Sequence, residues 1–311
     1  MNAPADARRM RRLHSKRSLK TLAAFLLASL AALPVLAGPS EDILARVNAV
    51  RAAHGLSPLR LDPHLDATAQ QRAEEQARAG ILPIAAGSEG ILDRVKHQGY
   101  EAYTITELLA SSSGGLDDIF ESWRERGGNS YGELLQPDAR DLGAGLATGD
   151  GVTYAALLLG VAWPDFFREQ TRGLADLAAV RAEMLRSIND ARREAKLPPL
   201  RLEPRLVDCA ERYASLMLAR SHYGHTGPDG TTVRERAEAA GYIPYAALGE
   251  NIAQGQWTVA EVMDGWLHSP AHRENLLSSV FTEVGVGVAY GKNDNGWQVL
   301  WVQCFGRPRS R

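Results

Sequence analysis

The sequence lacks the marks of several protein classes. Its longest apolar stretch, Leu22 to Leu33 (LAAFLLASLAAL), is shorter than the ~20 residues that a membrane-spanning helix needs. No charge block or low-complexity stretch reads as a tail. A basic surplus is missing too. The chain has 35 Lys and Arg against 37 Asp and Glu, and seven of the basic residues lie within the first 20 positions. From residue 38 onward, 28 basic side chains face 36 acidic ones. That balance argues against nucleic-acid binding, which needs a basic footprint. Cysteine is scarce: only Cys209 and Cys304 occur, both in the second half. None follows the apolar stretch closely, so a lipoprotein anchor is not supported.

What stands at the start reads as an export signal. Arg8, Arg9, Arg11, Arg12, Lys16, Arg17 and Lys20 precede the apolar stretch, and Val35-Leu36-Ala37 supplies small residues before Gly38. This is the pattern of a secretory signal peptide over residues 1–37. The expected location is therefore periplasmic or secreted, with an uncleaved N-terminal anchor as the alternative. The twin arginines lie far from the apolar run, so a twin-arginine signal is weakly supported. In an exported protein, two cysteines permit a disulfide. Two buried thiols are the alternative.

The chain repeats itself once. Residues 48–69 (NAVRAAHGLSPLRLDPHLDATA) and 189–210 (NDARREAKLPPLRLEPRLVDCA) are identical at ten of 22 positions at an offset of 141. At offsets of 142 to 143, Gly99-Tyr100 matches Gly241-Tyr242, Glu107 matches Glu250, Trp123 matches Trp266, and Gly143-Ala-Gly145 matches Gly285-Val-Gly287. A period this long is a duplicated domain, not a solenoid unit. The expected division is a first domain over 38–165, a link over 166–176 and a second domain over 177–311. A link this short should bring the domains into contact. Only the second copy carries histidines in two tight clusters, His222 with His225 and His268 with His272. The matching places in the first copy hold Pro83 and Asn129 or Ser130.

Each copy opens with a helical pattern: Ile43, Val47, Val50 and Ala53 in one, Met184, Leu185, Ile188, Ala191 and Ala195 in the other. A proline-bearing turn follows, and then a second helix with Leu206, Cys209, Tyr213, Leu216 and Met217 on one stripe. Residues 222–232 read as a loop and 233–240 as a short helix. Thr258 with Glu261 has capping-box spacing for the next helix. Glu283–Tyr290 and Trp297–Phe305 flank an Asn-Gly turn, a strong hairpin signal. Their near-continuous apolar runs predict strands covered on both faces. The fold expected is α+β, a three-layer α-β-α sandwich with an antiparallel sheet, in two tandem copies.

Four motifs of the second copy form a set: GHTGPDG (Gly224–Gly230), GENIA (Gly249–Ala253), WLHSPAHRENLL (Trp266–Leu277) and FTEVGVGV (Phe281–Val288). Together they resemble the bacterial branch of the CAP superfamily, which comprises cysteine-rich secretory, antigen 5 and pathogenesis-related proteins and whose domain is also called SCP. The likeness covers about residues 180–308 directly and 41–162 through the internal alignment. It implies an α-β-α sandwich and a cleft lined by two histidines and two acids. Carried over residue by residue, these are His225, Glu250 and His272. Ser269 stands where eukaryotic members have the second acid, so paired carboxylates are lost unless Glu283 substitutes from the strand.

The residues support this chemistry on their own terms. Imidazole is the commonest metal ligand, and a nearby carboxylate can complete a site. His268 and His272 share one face if a single helix runs through them, although Pro270 interrupts it. The expected ligand-binding set is His225, Glu250, Ser269 and His272. The expected metal set is His225, His272 and Glu250, for Zn2+ or another divalent metal. His222 and His268 are expected at the surface, Asn251, Arg273 and Asn275 as braces, and Trp266, Trp297 and Trp301 in the core. Three functions stay open. The first is a binding cleft for a metal or small ligand. The second is a metal-assisted hydrolase, for which no nucleophile is marked beyond Ser269 near His272. The third is an interaction protein for lipid, sterol, peptide or an envelope polymer.

Overall fold

The computed structural model describes residues 38–82, 90–126 and 129–309. Residues 1–37, expected to be a signal peptide, and Pro83 lie outside these residues, as do the side chains of Asn129 and Ser130. In the first copy the order is α1 (Pro39–Ala53), β1 (Arg60–Leu61), α2 (Pro63–Ala79), α3 (Ile91–His97), β2 (Ala102–Ser112), α4 (Leu116–Arg126), α5 (Asn129–Leu134), β3 (Asp141–Gly149) and β4 (Val152–Ala162). A connecting helix, α6 (Trp163–Gln170), and a 3-10 turn (Arg172–Leu174) follow. The second copy repeats the order as α7 (Leu177–Glu194), β5 (Arg201–Leu202), α8 (Pro204–Ala219), α9 (Val233–Ala239), β6 (Tyr245–Gln254), α10 (Val259–His268), α11 (Pro270–Leu276), β7 (Glu283–Asn293) and β8 (Gly296–Pro308).

The two sheets have the same strand order, β1-β3-β4-β2 and β5-β7-β8-β6. They are mixed rather than wholly antiparallel, because β1 and β5 pair parallel to β3 and β7. Each of these strands is only two residues long. The proline that follows it, Pro63 or Pro204, sits at the first turn of a helix, where its fixed φ and missing N–H are tolerated. The long edge strand β6 was not legible as a strand. Its sequence has one β-branched residue, and it exists through its antiparallel ladder with β8.

Helices cover both faces of each sheet. In the second copy, Val180, Met184 and Ile188 of α7 and Val262 and Trp266 of α10 bury against Val284, Val286, Trp301 and Phe305. On the other face, Leu206, Cys209, Tyr213 and Met217 of α8 bury with Ile252, Val302 and Cys304. β7 alternates valine toward the first face and glycine toward the second. A Cβ on Gly285 would lie 1.9 Å from the Leu206 carbonyl carbon, and one on Gly143 would lie 2.2 Å from that of Leu65. The repeated Gly-x-Gly pairs are thus the places where α2 and α8 lie directly on the sheet.

The framework is held the same way twice. The Arg51 guanidinium donates to the carbonyls of Ser57, Leu134 and Gln136, and that of Arg192 to the carbonyls of Pro198, Leu276 and Ser278. Burial pushes both guanidinium pKa values down from their ordinary value. Asn48 and Asn189 each bridge the backbone of Leu59 or Leu200 through both amide atoms. The segment between the copies is helical. Phe167 and Leu174 are buried in the second copy's core, while the Phe166 ring stacks on Tyr103 of the first at 3.6 Å between centroids. Lys292 pairs with Glu101. Among the described residues no helix is long and apolar enough to cross a membrane.

Candidate functional site

The site is built around β6, an edge strand, so both of its faces can be reached from one side of the sheet. Successive side chains point to opposite faces. Glu250 is in register with Cys304 and faces α8, whereas Asn251 is in register with Gln303 on the α10 face.

Glu250 is held from two directions. Its Oε1 is 2.8 Å from Nδ1 of His225, and its Oε2 accepts from Arg236 at 2.6 Å. The Glu250 and Arg236 side chains are only 4% and 8% exposed, whereas that of His225 is 60% exposed. Arg236 arrives there by local rules. Gly230 takes a positive φ, and Thr232 then caps α9 in a reciprocal box with Glu235. Arg236 lies in the next turn. Its guanidinium carbon sits 3.4 Å from the centroid of the Tyr213 ring, and it also donates to the His225 carbonyl at 3.1 Å. The Tyr213 hydroxyl donates to the Gly224 carbonyl, which anchors the loop that carries His225.

His272 is fixed from the other face. Residue 269 is extended (φ −94, ψ 118), because a residue before proline is disfavoured in the helical region, and Pro270 opens a new helix. His268 and His272 therefore lie on different helices, which corrects the expectation of one shared helical face. His268 is 79% exposed in its side chain and pairs with Asp264. His272 Nδ1 lies 2.9 Å from Ser269 Oγ. A chain of amides ties α11 to the strand: Asn251 donates to the His272 carbonyl and to Gln303, and Asn275 donates to Asn251 and to the Glu250 carbonyl. Burial, and then the charge of His225, lower the His272 pKa below its ordinary 6.5.

Three other sequence candidates fall elsewhere. His222 Nε2 is 2.8 Å from the Thr226 carbonyl, inside its own loop. Glu283 does not substitute for the missing acid. It is 1% exposed, and its carboxylate accepts from Arg201 and from the Tyr242 hydroxyl. Thr258 caps α10, but Glu261 returns to the N–H of Trp257 rather than to that of Thr258, so the box is not reciprocal.

The first copy has the same strand and the same acid but a different partner. At the place of Tyr213, 141 residues back, stands Arg72, which donates to both oxygens of Glu107 at 2.7 and 3.3 Å. Arg94, the counterpart of Arg236, binds Glu75 instead. Glu107 is thus closed by one bidentate guanidinium. Sequence reasoning missed Arg236 and Arg72. The available signal was the Arg94–Arg236 match at an offset of 142, beside a tyrosine-to-arginine change on the preceding helix. Among the described residues, no group of three or more His, Cys, Asp or Glu side chains gathers to hold an ion.

Comparison with known proteins agrees with the duplication. The model of the cysteine-rich secretory protein family, CAP, matches residues 44–163 and again 185–305. An uncharacterised protein of Bacillus subtilis (strain 168), YkwD, is 31% identical over 135 residues, which is 43% of this chain and 50% of that protein. An uncharacterised membrane protein of the same organism, YlbC, is 33% identical over 72 residues, 23% of this chain and 20% of that one. The chain thus spans half or less of the curated relatives it matches. Among solved structures, an extracellular SCP-domain protein of Bacillus anthracis is 24% identical, with coverage of 50% of this chain and 52% of that one and a TM-score of 0.38.

Proposed function

Since the chain belongs to the CAP family and carries its domain twice, we propose that it is an exported binding protein whose second domain offers a histidine cleft to a divalent metal or small ligand. The observation that carries this reading is the use of Nδ1 in both rings. His225 Nδ1 faces Glu250 and His272 Nδ1 faces Ser269, which leaves Nε2 of each ring for a ligand. A histidine that donates its other ring N–H to a carboxylate is the usual state of a metal ligand. A divalent cation would be held with His225 and His272 as the protein ligands. Both oxygens of Glu250 are engaged, so it orients His225 from behind and adds negative charge. Ser269 plays the matching part for His272. A metal held this way has open positions, where it would act as a Lewis acid or take a further ligand. A small molecule, lipid or peptide would enter by the same open edge.

The test is zinc titration of residues 38–311, with melting temperature as readout, beside His225→Ala/His272→Ala. A metal at 100 times its Kd should stabilise the protein by about 2.7 kcal/mol. The reading predicts a rise in melting temperature that the double variant loses. No rise, or an equal rise in both proteins, overturns it. One contact favours a second reading, a hydrolase: Ser269 Oγ lies beside His272. Turnover of an ester or peptide panel that is lost in Ser269→Ala and kept in His225→Ala would support that reading over the first.

A further inference from the structure

The only two cysteines of the chain meet at one buried contact. Cys209 of α8 and Cys304 of β8 are 95 residues apart in sequence, their sulfurs are 3.3 Å apart, and they are 1% and 0% exposed. The first copy shows that packing there needs no sulfur. Its counterpart of Cys209, 141 residues back, is Thr68, and the residue in register with Glu107, as Cys304 is with Glu250, is Leu158. Thr68 is 1% exposed, its hydroxyl donating to the His64 carbonyl of its own helix, and Leu158 is 0% exposed. A threonine and a leucine therefore fill this position without sulfur, and the second copy has two thiols instead.

We propose that Cys209 and Cys304 are a covalent modification site, closed as a disulfide that ties α8 to the sheet directly behind the cleft. The co-reactant is a disulfide-bearing oxidant. The Cys209 thiolate attacks one sulfur of the oxidant's disulfide, forms a mixed disulfide and expels one oxidant thiolate. The Cys304 thiolate then attacks Cys209 Sγ, forms the internal bond and expels the second. The two thiol protons pass to the two oxidant thiolates, so one disulfide is reduced to two thiols as one is formed. Contact with Cys209, and then burial, push the Cys304 thiol well above its ordinary pKa. The thiolate step therefore belongs to folding, before α8 seats on the sheet. Of the two, Cys209 borders a cavity of about 190 Å³ between α8 and α9, which Arg212 and Arg236 also line.

The bond has a structural consequence. Tyr213 lies one turn beyond Cys209 on α8, and it supports both Arg236 and the carbonyl before His225. Fixing α8 to β8 fixes the strut on which Glu250 and His225 are arranged. The bond stands or falls independently of any ligand in the cleft.

The protein is refolded with oxidised and reduced glutathione, alkylated under denaturing conditions and weighed intact. No alkylated cysteine is expected before reduction, and two after it. Closing a loop of this length should raise the melting temperature of the oxidised form over the reduced form by on the order of 10 °C. Oxidised and reduced wild type supply this comparison without substitution, and Cys209→Ala/Cys304→Ala should match the reduced form in being insensitive to reductant. Two free thiols after oxidative refolding overturn the proposal. So does a bridged protein that melts no higher than its reduced form.

Discussion

Arg236→Met is the substitution that most directly tests how Glu250 and His225 are held. Arg236 and Glu250 are 2.6 Å apart, with 8% and 4% of their side chains exposed. Methionine keeps the apolar bulk over Tyr213 but removes the cation. Removing one partner of a buried ion pair costs about 3–5 kcal/mol, chiefly because the other charge is left buried. Here His225 still touches the other carboxylate oxygen, from an exposed position where water screens it. The cost should therefore fall near the lower limit, at about 3 kcal/mol. Urea unfolding followed by tryptophan fluorescence reads it. A second variant separates charge burial from lost packing. In Arg236→Met/Glu250→Gln the stranded charge is gone, so the double variant should be more stable than Arg236→Met alone. Groups in direct contact couple by about 0.5–3 kcal/mol, and a coupling of at least about 1.5 kcal/mol is expected for this pair. A cost below about 1 kcal/mol for Arg236→Met, or no rescue by Glu250→Gln, would refute the claim that this buried pair organises the site.

Other outcomes follow from the same contacts. His272 has its pKa lowered by burial and then by the charge of His225, so over the interval below 6.5 the unfolded chain binds the proton more readily. Its contribution to stability is fully present above about 6.5 and is lost as pH falls through the folded-state value; urea titrations in the pH range just below 6.5 should show a slope that His272→Gln flattens, and an unchanged slope counts against it. Gly285→Ala drives a methyl group into the backbone of α8 at Leu206, and overpacking of this kind costs about 1–3 kcal/mol or more. The expected cost is at the upper end, and a variant as stable as wild type in urea would show that the helix does not lie where it is described. Tyr213→Arg places a guanidinium where the first copy has Arg72; it should preserve the fold, as judged by circular dichroism, and abolish the zinc response. A retained zinc response would mean that tyrosine at 213 is not what keeps the cleft open.

Much of the fold could be read from the sequence because the duplication printed its constraints twice. The helical stripes, the terminal hairpin and the Gly-x-Gly pairs all had counterparts 141 to 146 residues away. The strand β6 was not legible. Its residues carry little strand preference, and the pairing that makes it a strand comes from β8, some 50 residues on. His225, Glu250 and His272 were marked by their motifs, and the structure places them on or beside the same edge strand. Arg236 went unread because its importance depends on Tyr213, which looked like one more apolar residue on a helix stripe. Until α9 folds back over α8, nothing in the spacing places that arginine on Glu250. The break between His268 and His272 was half legible: Pro270 was visible, but whether it would kink a helix or divide it depended on the extended conformation of Ser269.

The two copies separate what the fold requires from what sets the second copy's histidines apart. The buried arginine with its carbonyl cap, the asparagine bridge after α1 and α7, and the tyrosine hydroxyl on a buried acid all occur twice. The acid itself changes from Asp141 to Glu283 without loss of the arrangement, since Arg60 and Arg201 reach both. None of these features distinguishes the copy with the paired histidines from the copy that lacks those pairs. The difference lies in one helix position and one loop. With tyrosine at 213, the space over α8 admits a flat guanidinium from α9, which takes one carboxylate oxygen and leaves the other to His225. With arginine at 72, a single side chain takes both oxygens. An unpaired buried carboxylate is costly, so Glu107 is satisfied by a guanidinium alone, whereas Glu250 is satisfied in part by an exposed imidazole. The same acid on the same strand thus pairs with one arginine from the preceding helix in the first copy, and with an arginine of α9 and a histidine of the loop in the second.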